Sequence, residues 1–162
     1  MADKRTKRVA KELSKVDGKC EEFTITADEG DMFKWHVVMH GPAKYKVGEE
    51  ERDCPYAGRD FELECNFPEG YPFKPPEVKF TGRGIYHPNV AQDGAQAGEL
   101  CERFVKDFWA PTRMAEQFLQ HVYNLLANPD PDDAVAEDVA GQMRDRLAEF
   151  EAQAAKSGVA RK

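Results

Sequence analysis

The sequence predicts an α+β domain: an N-terminal helix, a four-stranded antiparallel meander, an irregular segment, a buried central helix and C-terminal helices. Three observations lead there. Residues 61–67 alternate, with Phe61, Leu63, Cys65 and Phe67 on one face and Glu62, Glu64 and Asn66 on the other, the pattern of a half-buried strand. Met114, Phe118, Val122 and Leu125 recur at helical spacing, flanked by Leu119, Tyr123 and Leu126. Between these two signals, residues 81–111 hold Gly82, Gly84, Gly94, Gly98, Pro88 and Pro111 and show no clear period. A long irregular segment in a compact domain is usually functional.

Each element follows from local pattern. Residues 4–16 predict an amphipathic helix, with Val9, Leu13 and Val16 on one face and Lys4, Arg8, Lys11 and Lys15 on another; Asp17-Gly18 stops it. Phe23–Ala27, Phe33–His40, Phe61–Phe67 and a short strand at Val78 and Phe80 follow. Gly41-Pro42 and the run from Pro55 to Gly58 are turns. The connections are too short for helical crossovers, so neighbouring strands are antiparallel. The polar stretch 43–54 reads as a solvated surface loop. Pro129 and Pro131 end the central helix. Val135, Val139, Met143, Leu147 and Phe150 mark one or two terminal helices, with Gly141 as a candidate break. One domain is expected over residues 4–155, and residues 156–162 as a frayed tail.

The chain has 162 residues, enough to bury a core in one domain, and 41% apolar residues, which excludes wholesale disorder. No apolar run approaches a membrane span, and the basic start MADKRTKR leads into no apolar stretch, so neither a membrane protein nor a secretory leader is expected. Cysteines 20, 54, 65 and 101 form no CxxC pair, which argues against structural zinc, and without a secretory leader a disulfide framework is not expected either. A cytoplasmic or nuclear protein with free thiols is the expectation. Net charge is −7, yet residues 1–19 carry seven bases and three acids. The acidic body argues against nucleic-acid binding; the basic head suits an acidic protein partner or is simply a solvated helix face.

Three residue sets are candidates for chemistry. Cys101, in GELCER, is the best-placed nucleophile. Glu99 and Glu102 beside it disfavour a thiolate, and Arg103 partly offsets them. Cys65 belongs to the core, while Cys20 and Cys54 read as exposed and inert. His87 and Asn89 with Cys101 would suit a cysteine hydrolase, but the family-specific sequence around such a cysteine is absent and His87 reads rather as a structural residue before Pro88. Asp130, Asp132 and Asp133 form an acidic turn that could orient an amine, bind a cation or cap a helix.

The segments FPEGYPFKPPEVKF (67–80), YHPNV (86–90), GELC (98–101), Trp109-Ala110-Pro111 and NPDPDD (128–133), in this order, resemble the ubiquitin-conjugating enzyme family, from about Lys7 to about Phe150. The resemblance implies the ubiquitin-conjugating fold and a transferase in which Cys101 carries ubiquitin as a thioester. Asn89 would stabilise the oxyanion and order the active-site loop. Asp133 would orient or deprotonate the attacking lysine, with His87 structural and Tyr86 near the lysine's path. Lys7, Arg8 and Lys11 would meet the activating enzyme and ligases. Phe73 with Ala110 and Pro111 would grip RING-type or HECT-type ligases, and Tyr71-Pro72 could be cis. No metal and no cofactor is implied, ATP being used by the activating enzyme upstream; a monomer is the default. Three features depart from the family pattern: a longer Asn89-to-Cys101 segment expected to bulge, a longer 43–54 loop, and Glu102-Arg103 after the cysteine. The alternatives are a conjugating enzyme for another ubiquitin-like protein, a non-catalytic module with this fold, and the hydrolase.

Overall fold

The computed structural model describes residues 3–16, 18 and 20–161. Helix α1 spans Lys4–Ser14 and starts where the Asp3 carboxylate accepts the Thr6 backbone N–H at 2.7 Å. Part of the predicted Asp17-Gly18 stop, Asp17, lies outside the described residues. The helix presents Val9 and Glu12 to the interior, whereas Leu13 is 37% exposed. The predicted apolar stripe thus holds at Val9 and at Val16, which packs against the core, but not at Leu13. Glu12 goes inside because three donors meet it there: Arg8 Nε at 2.9 Å, the Ala115 backbone N–H at 2.6 Å and the Tyr71 hydroxyl. A buried carboxylate is tolerable only when its oxygens are satisfied in this way.

The sheet has the strand order β1 (Phe23–Ala27), β2 (Lys34–His40), β5 (Arg59–Asn66), β6 (Glu77–Thr81), all antiparallel. Register aligns the inward residues: Trp35 faces Cys65, which faces Val78, and Val37 faces Leu63, which faces Phe80. These side chains pack beneath α3 (Ala115–Ala127), whose Phe118, Leu119, Val122 and Leu126 are fully buried.

The stretch expected as a solvated loop is instead a hairpin, β3 (Lys44–Val47) and β4 (Glu50–Asp53), closed by Gly48-Glu49 with Gly48 at φ +64°. Its anchor lies a hundred residues away. Glu151 accepts the Tyr45 hydroxyl at 2.7 Å and takes Arg52 in a bidentate pair at 3.1 and 2.9 Å. Tyr45 and Cys54 are thereby buried, so Cys54 is not the exposed thiol expected.

Three further expectations change. The irregular segment contains a helix, α2 (Glu102–Phe108), whose Phe104 and Phe108 both stack on His121 of α3, at 4.3 and 4.2 Å. The terminal helices α4 (Glu137–Asp145) and α5 (Leu147–Ala154) break at Arg146; Gly141 sits inside α4, where a glycine weakens a helix without ending it. The tail is not frayed: β7 (Val159–Ala160) pairs with Asp60 and Arg59, and Arg161 Nε donates to Asp60 at 3.0 Å. Among the described residues no helix is long and apolar enough to cross a membrane.

Glu12→Ala strands the Ala115 N–H, the Tyr71 hydroxyl and the Arg8 guanidinium together. It should cost about 3 kcal/mol of stability in urea denaturation. The exposed control Glu29→Ala should shift it by less than about 0.5 kcal/mol.

Candidate active site

Cys101 caps the start of α2 and is partly exposed. It opens into a groove of about 760 Å³ whose apolar wall is Pro75, Pro76, Val78, Leu100, Val105 and Val135. The other thiols are less available. Cys65 is buried in the sheet and Cys54 beneath the hairpin, where burial pushes its thiol up to about 11. Partial burial raises Cys20 as well, and its Sγ donates to Glu22 at 3.2 Å.

The segment leading to Cys101 is tied to the sheet edge. Phe80 N–H donates to Gly98 O at 2.9 Å, Lys79 bridges Glu99, and Val90 bridges Leu100. Residues 92–97 project from this ladder as an exposed excursion, the bulge expected from the longer spacing. Gly98 stands at φ +89°, and a Cβ there would lie 2.0 Å from Phe80 O, so only glycine fits. Gln92 was not singled out in the sequence. Its side-chain amide donates to the carbonyls of Ile85, His87 and Val90, binding the excursion to the preceding segment. A polar residue in a loop gives no local sign of such a role.

Asn89 is 5% exposed and its carboxamide is fully engaged. Nδ2 donates to Asp130 O at 2.8 Å and Asp133 O at 3.1 Å, while Oδ1 accepts the Asp130 N–H at 2.8 Å. Two of the residues expected at the site are thus joined: Asn89 holds the acidic turn through Asp130 and Asp133. Pro88 O strengthens the join by accepting Val135 N–H at 3.0 Å and Ala136 N–H at 2.9 Å. The Asp133 carboxylate is half-exposed and faces Arg103, with Nη1 3.8 Å from its Oδ1. Glu102 pairs with Lys106 at 2.6 Å, which holds its carboxyl below the usual range.

His87 is fully buried and stacks on Tyr56. Its Nε2 donates to Leu125 O at 3.1 Å and its Nδ1 accepts the Asn89 N–H at 3.0 Å. Both nitrogens are spent, so the imidazole cannot serve Cys101 as a base, and the hydrolase reading ends there. Desolvation lowers its pKa from 6.5 to about 4, which keeps it neutral. Tyr86 reaches the terminal helices, donating to Gln142 at 2.6 Å and packing on Phe150.

Of the other residues singled out, Lys7 and Lys11 are exposed on α1. Arg8 is turned inward, to Glu12 and to Arg113 O at 2.5 Å. Phe73 is 70% exposed, beside the cis peptide bond Tyr71-Pro72. Trp109 Nε1 donates to Pro72 O at 2.8 Å, which joins the Phe73 loop to the partly exposed Ala110 and exposed Pro111.

Two predictions follow from burial. Neutral His87 favours the folded state above pH 6.5, and that contribution is lost as pH falls from 6.5 towards 4. Its full size is about 3 kcal/mol, at 1.36 kcal/mol per pH unit. Urea titrations should show this acid limb in the native protein and its loss in His87→Phe. Gly98→Ala should lower stability by about 2 kcal/mol or more, read by thermal denaturation, because strain and a backbone clash coincide.

Comparison with known proteins places this arrangement. A family model for ubiquitin-conjugating enzymes matches residues 8–157. An Arabidopsis thaliana protein named "Probable ubiquitin-conjugating enzyme E2 31" is 31% identical over 154 residues, covering 95% of this chain and 91% of the relative. A crystal structure from Plasmodium yoelii, assigned as a ubiquitin conjugating enzyme, superposes with a TM-score of 0.78 at 29% identity, over 96% of this chain and 93% of that one. A Toxoplasma gondii ubiquitin conjugating enzyme E2 domain gives 0.74 at 29% identity, over 92% of each chain. The groove at Cys101 and the acidic turn held by Asn89 sit within a chain that belongs to the ubiquitin-conjugating enzyme family.

Proposed function

We propose that Cys101 receives ubiquitin from an activating enzyme as a thioester and passes it to a substrate lysine or to a ligase cysteine. One observation carries this reading: a partly exposed cysteine opens into an apolar-walled groove, Arg103 two residues on faces Asp133 of the acidic turn, and both nitrogens of His87 are committed elsewhere. In charging, Cys101 Sγ attacks the carbonyl carbon of the incoming thioester. A new C–S bond forms, the old one breaks, and the departing sulfur takes the proton. Bond energies on the two sides match, so no strong base is needed. In discharge, a lysine Nζ attacks the same carbon; a C–N bond forms, the C–S bond breaks, and the amine's proton ends on Cys101 Sγ. Asp133 accepts a hydrogen bond from the amine and orients it.

Asn89 acts through the gate turn, because both of its amide hydrogens are taken by the carbonyls of Asp130 and Asp133. Donating to an oxyanion requires it to release one of them. The groove wall suits an extended peptide, the form of a ubiquitin C-terminus reaching Cys101. Phe73, Ala110 and Pro111 make the ligase surface, and Lys7 and Lys11 the contact for the activating enzyme. The reaction draws on no cofactor here, ATP being consumed upstream, and the setting is cytoplasmic or nuclear.

Incubation with ubiquitin, an activating enzyme and ATP should give a reductant-sensitive adduct on a non-reducing gel, absent in Cys101→Ala. A persistent adduct in that variant would overturn the assignment. No adduct with ubiquitin, but one with another ubiquitin-like modifier and its own activating enzyme, would change the modifier and keep the nucleophile. Asp133→Asn should charge normally and discharge onto free lysine about ten-fold more slowly or worse, with discharge onto free cysteine unchanged.

A further inference from the structure

Arg103 stands between two carboxylates. Its Nη1 lies 3.8 Å from Asp133 Oδ1, and its Nε lies 3.7 Å from Asp107 Oδ2, one turn along the same helix. Glu102, which could otherwise draw the guanidinium, is taken by Lys106. Arg103 and Asp107 are each 74% exposed and Asp133 is 50% exposed, so both pairs are solvent-screened and weak. The gate turn does not need it for support. Asn89 and Pro88 already hold that turn through backbone and carboxamide bonds. What Arg103 touches is the one carboxylate assigned above to the attacking amine.

We propose that Arg103 is a positioning residue that competes with the incoming lysine for Asp133 and so sets the preference between lysine and cysteine acceptors. The proposal rests on the reading of Asp133 as the amine's partner. A lysine ammonium arriving at Asp133 must displace a like charge, and Asp107 offers Arg103 a place to go. A ligase thiol needs no help from Asp133 and meets no such barrier. Arg103 therefore biases the charged protein towards cysteine acceptors and towards lysines presented by a partner. The effect is modest, since an exposed ion pair corresponds to about a two- to five-fold change. It is also screened by salt.

The test is single-turnover discharge of the ubiquitin-charged protein onto increasing free lysine, and separately onto free cysteine, in low and high salt. For Arg103→Gln the initial slope of rate against lysine should rise about two- to five-fold, with the limiting rate unchanged and the lysine-to-cysteine ratio raised. Asp107→Asn leaves Arg103 one partner and should lower that slope. High salt should bring all three proteins together. A slower Arg103→Gln, or lysine and cysteine discharge changed by the same factor, would make Arg103 a structural clamp and overturn the proposal. If Asp133→Asn slows lysine discharge while Arg103→Gln matches the native protein, only the competition fails. If Asp133→Asn also discharges normally onto lysine, the assigned role of Asp133 fails and the competition with it.

Discussion

The site depends on one carboxamide. Asn89 joins the segment after β6 to a turn more than forty residues later, through both amide hydrogens and the carbonyl oxygen of its side chain. The neighbouring backbone is fixed from the other side, where the Asn89 N–H closes onto His87 and His87 closes onto Leu125 of α3. The central helix and the acidic turn are thus linked through two buried polar residues. Each link is worth little alone, but an unpaired group at this depth is costly, so the set is held as a unit.

The charges follow the same economy. Buried polar groups here are neutral or satisfied: His87 is kept neutral by desolvation, and Glu12 gathers three donors. Ionised groups near Cys101 stay at the surface and pair with one another, as Glu102 does with Lys106 and Arg103 with Asp107 and Asp133. Under the proposed reading, Cys101 exchanges one thioester for another and needs no strong base beside it; these surface pairs then bear on which acceptor approaches rather than on the sulfur itself.

Much of this was legible in the sequence, for identifiable reasons. The alternation at 61–67 and the stripe through α3 are local signals of burial, and both survive in the fold. The ordered motifs around Asn89, Cys101 and Asp133 indicated the site. The rest depended on distant partners. The 43–54 hairpin looked like a loop because its anchor, Glu151, lies in the last helix. Glu12 looked like a surface acid because its donors come from Tyr71 and Ala115. Helix α2 was hidden by its shortness, although Phe104 and Phe108 already stood one turn apart. Arg103 registered only as a neighbour of Cys101; nothing in its local sequence pointed to Asp133.

Strand β5 is longer than the partner beside it. Strand β6 covers Glu62 to Asn66, and β7 takes up the same lane at Arg59 and Asp60. Two segments almost eighty residues apart in sequence therefore complete one row of backbone pairing. The last residues act as an intramolecular stopper: they occupy hydrogen-bonding groups that a foreign strand could otherwise recruit, the usual route from an open sheet edge to self-association. Residues Val159 and Ala160 thereby complete the pairing of β5 where β6 stops short.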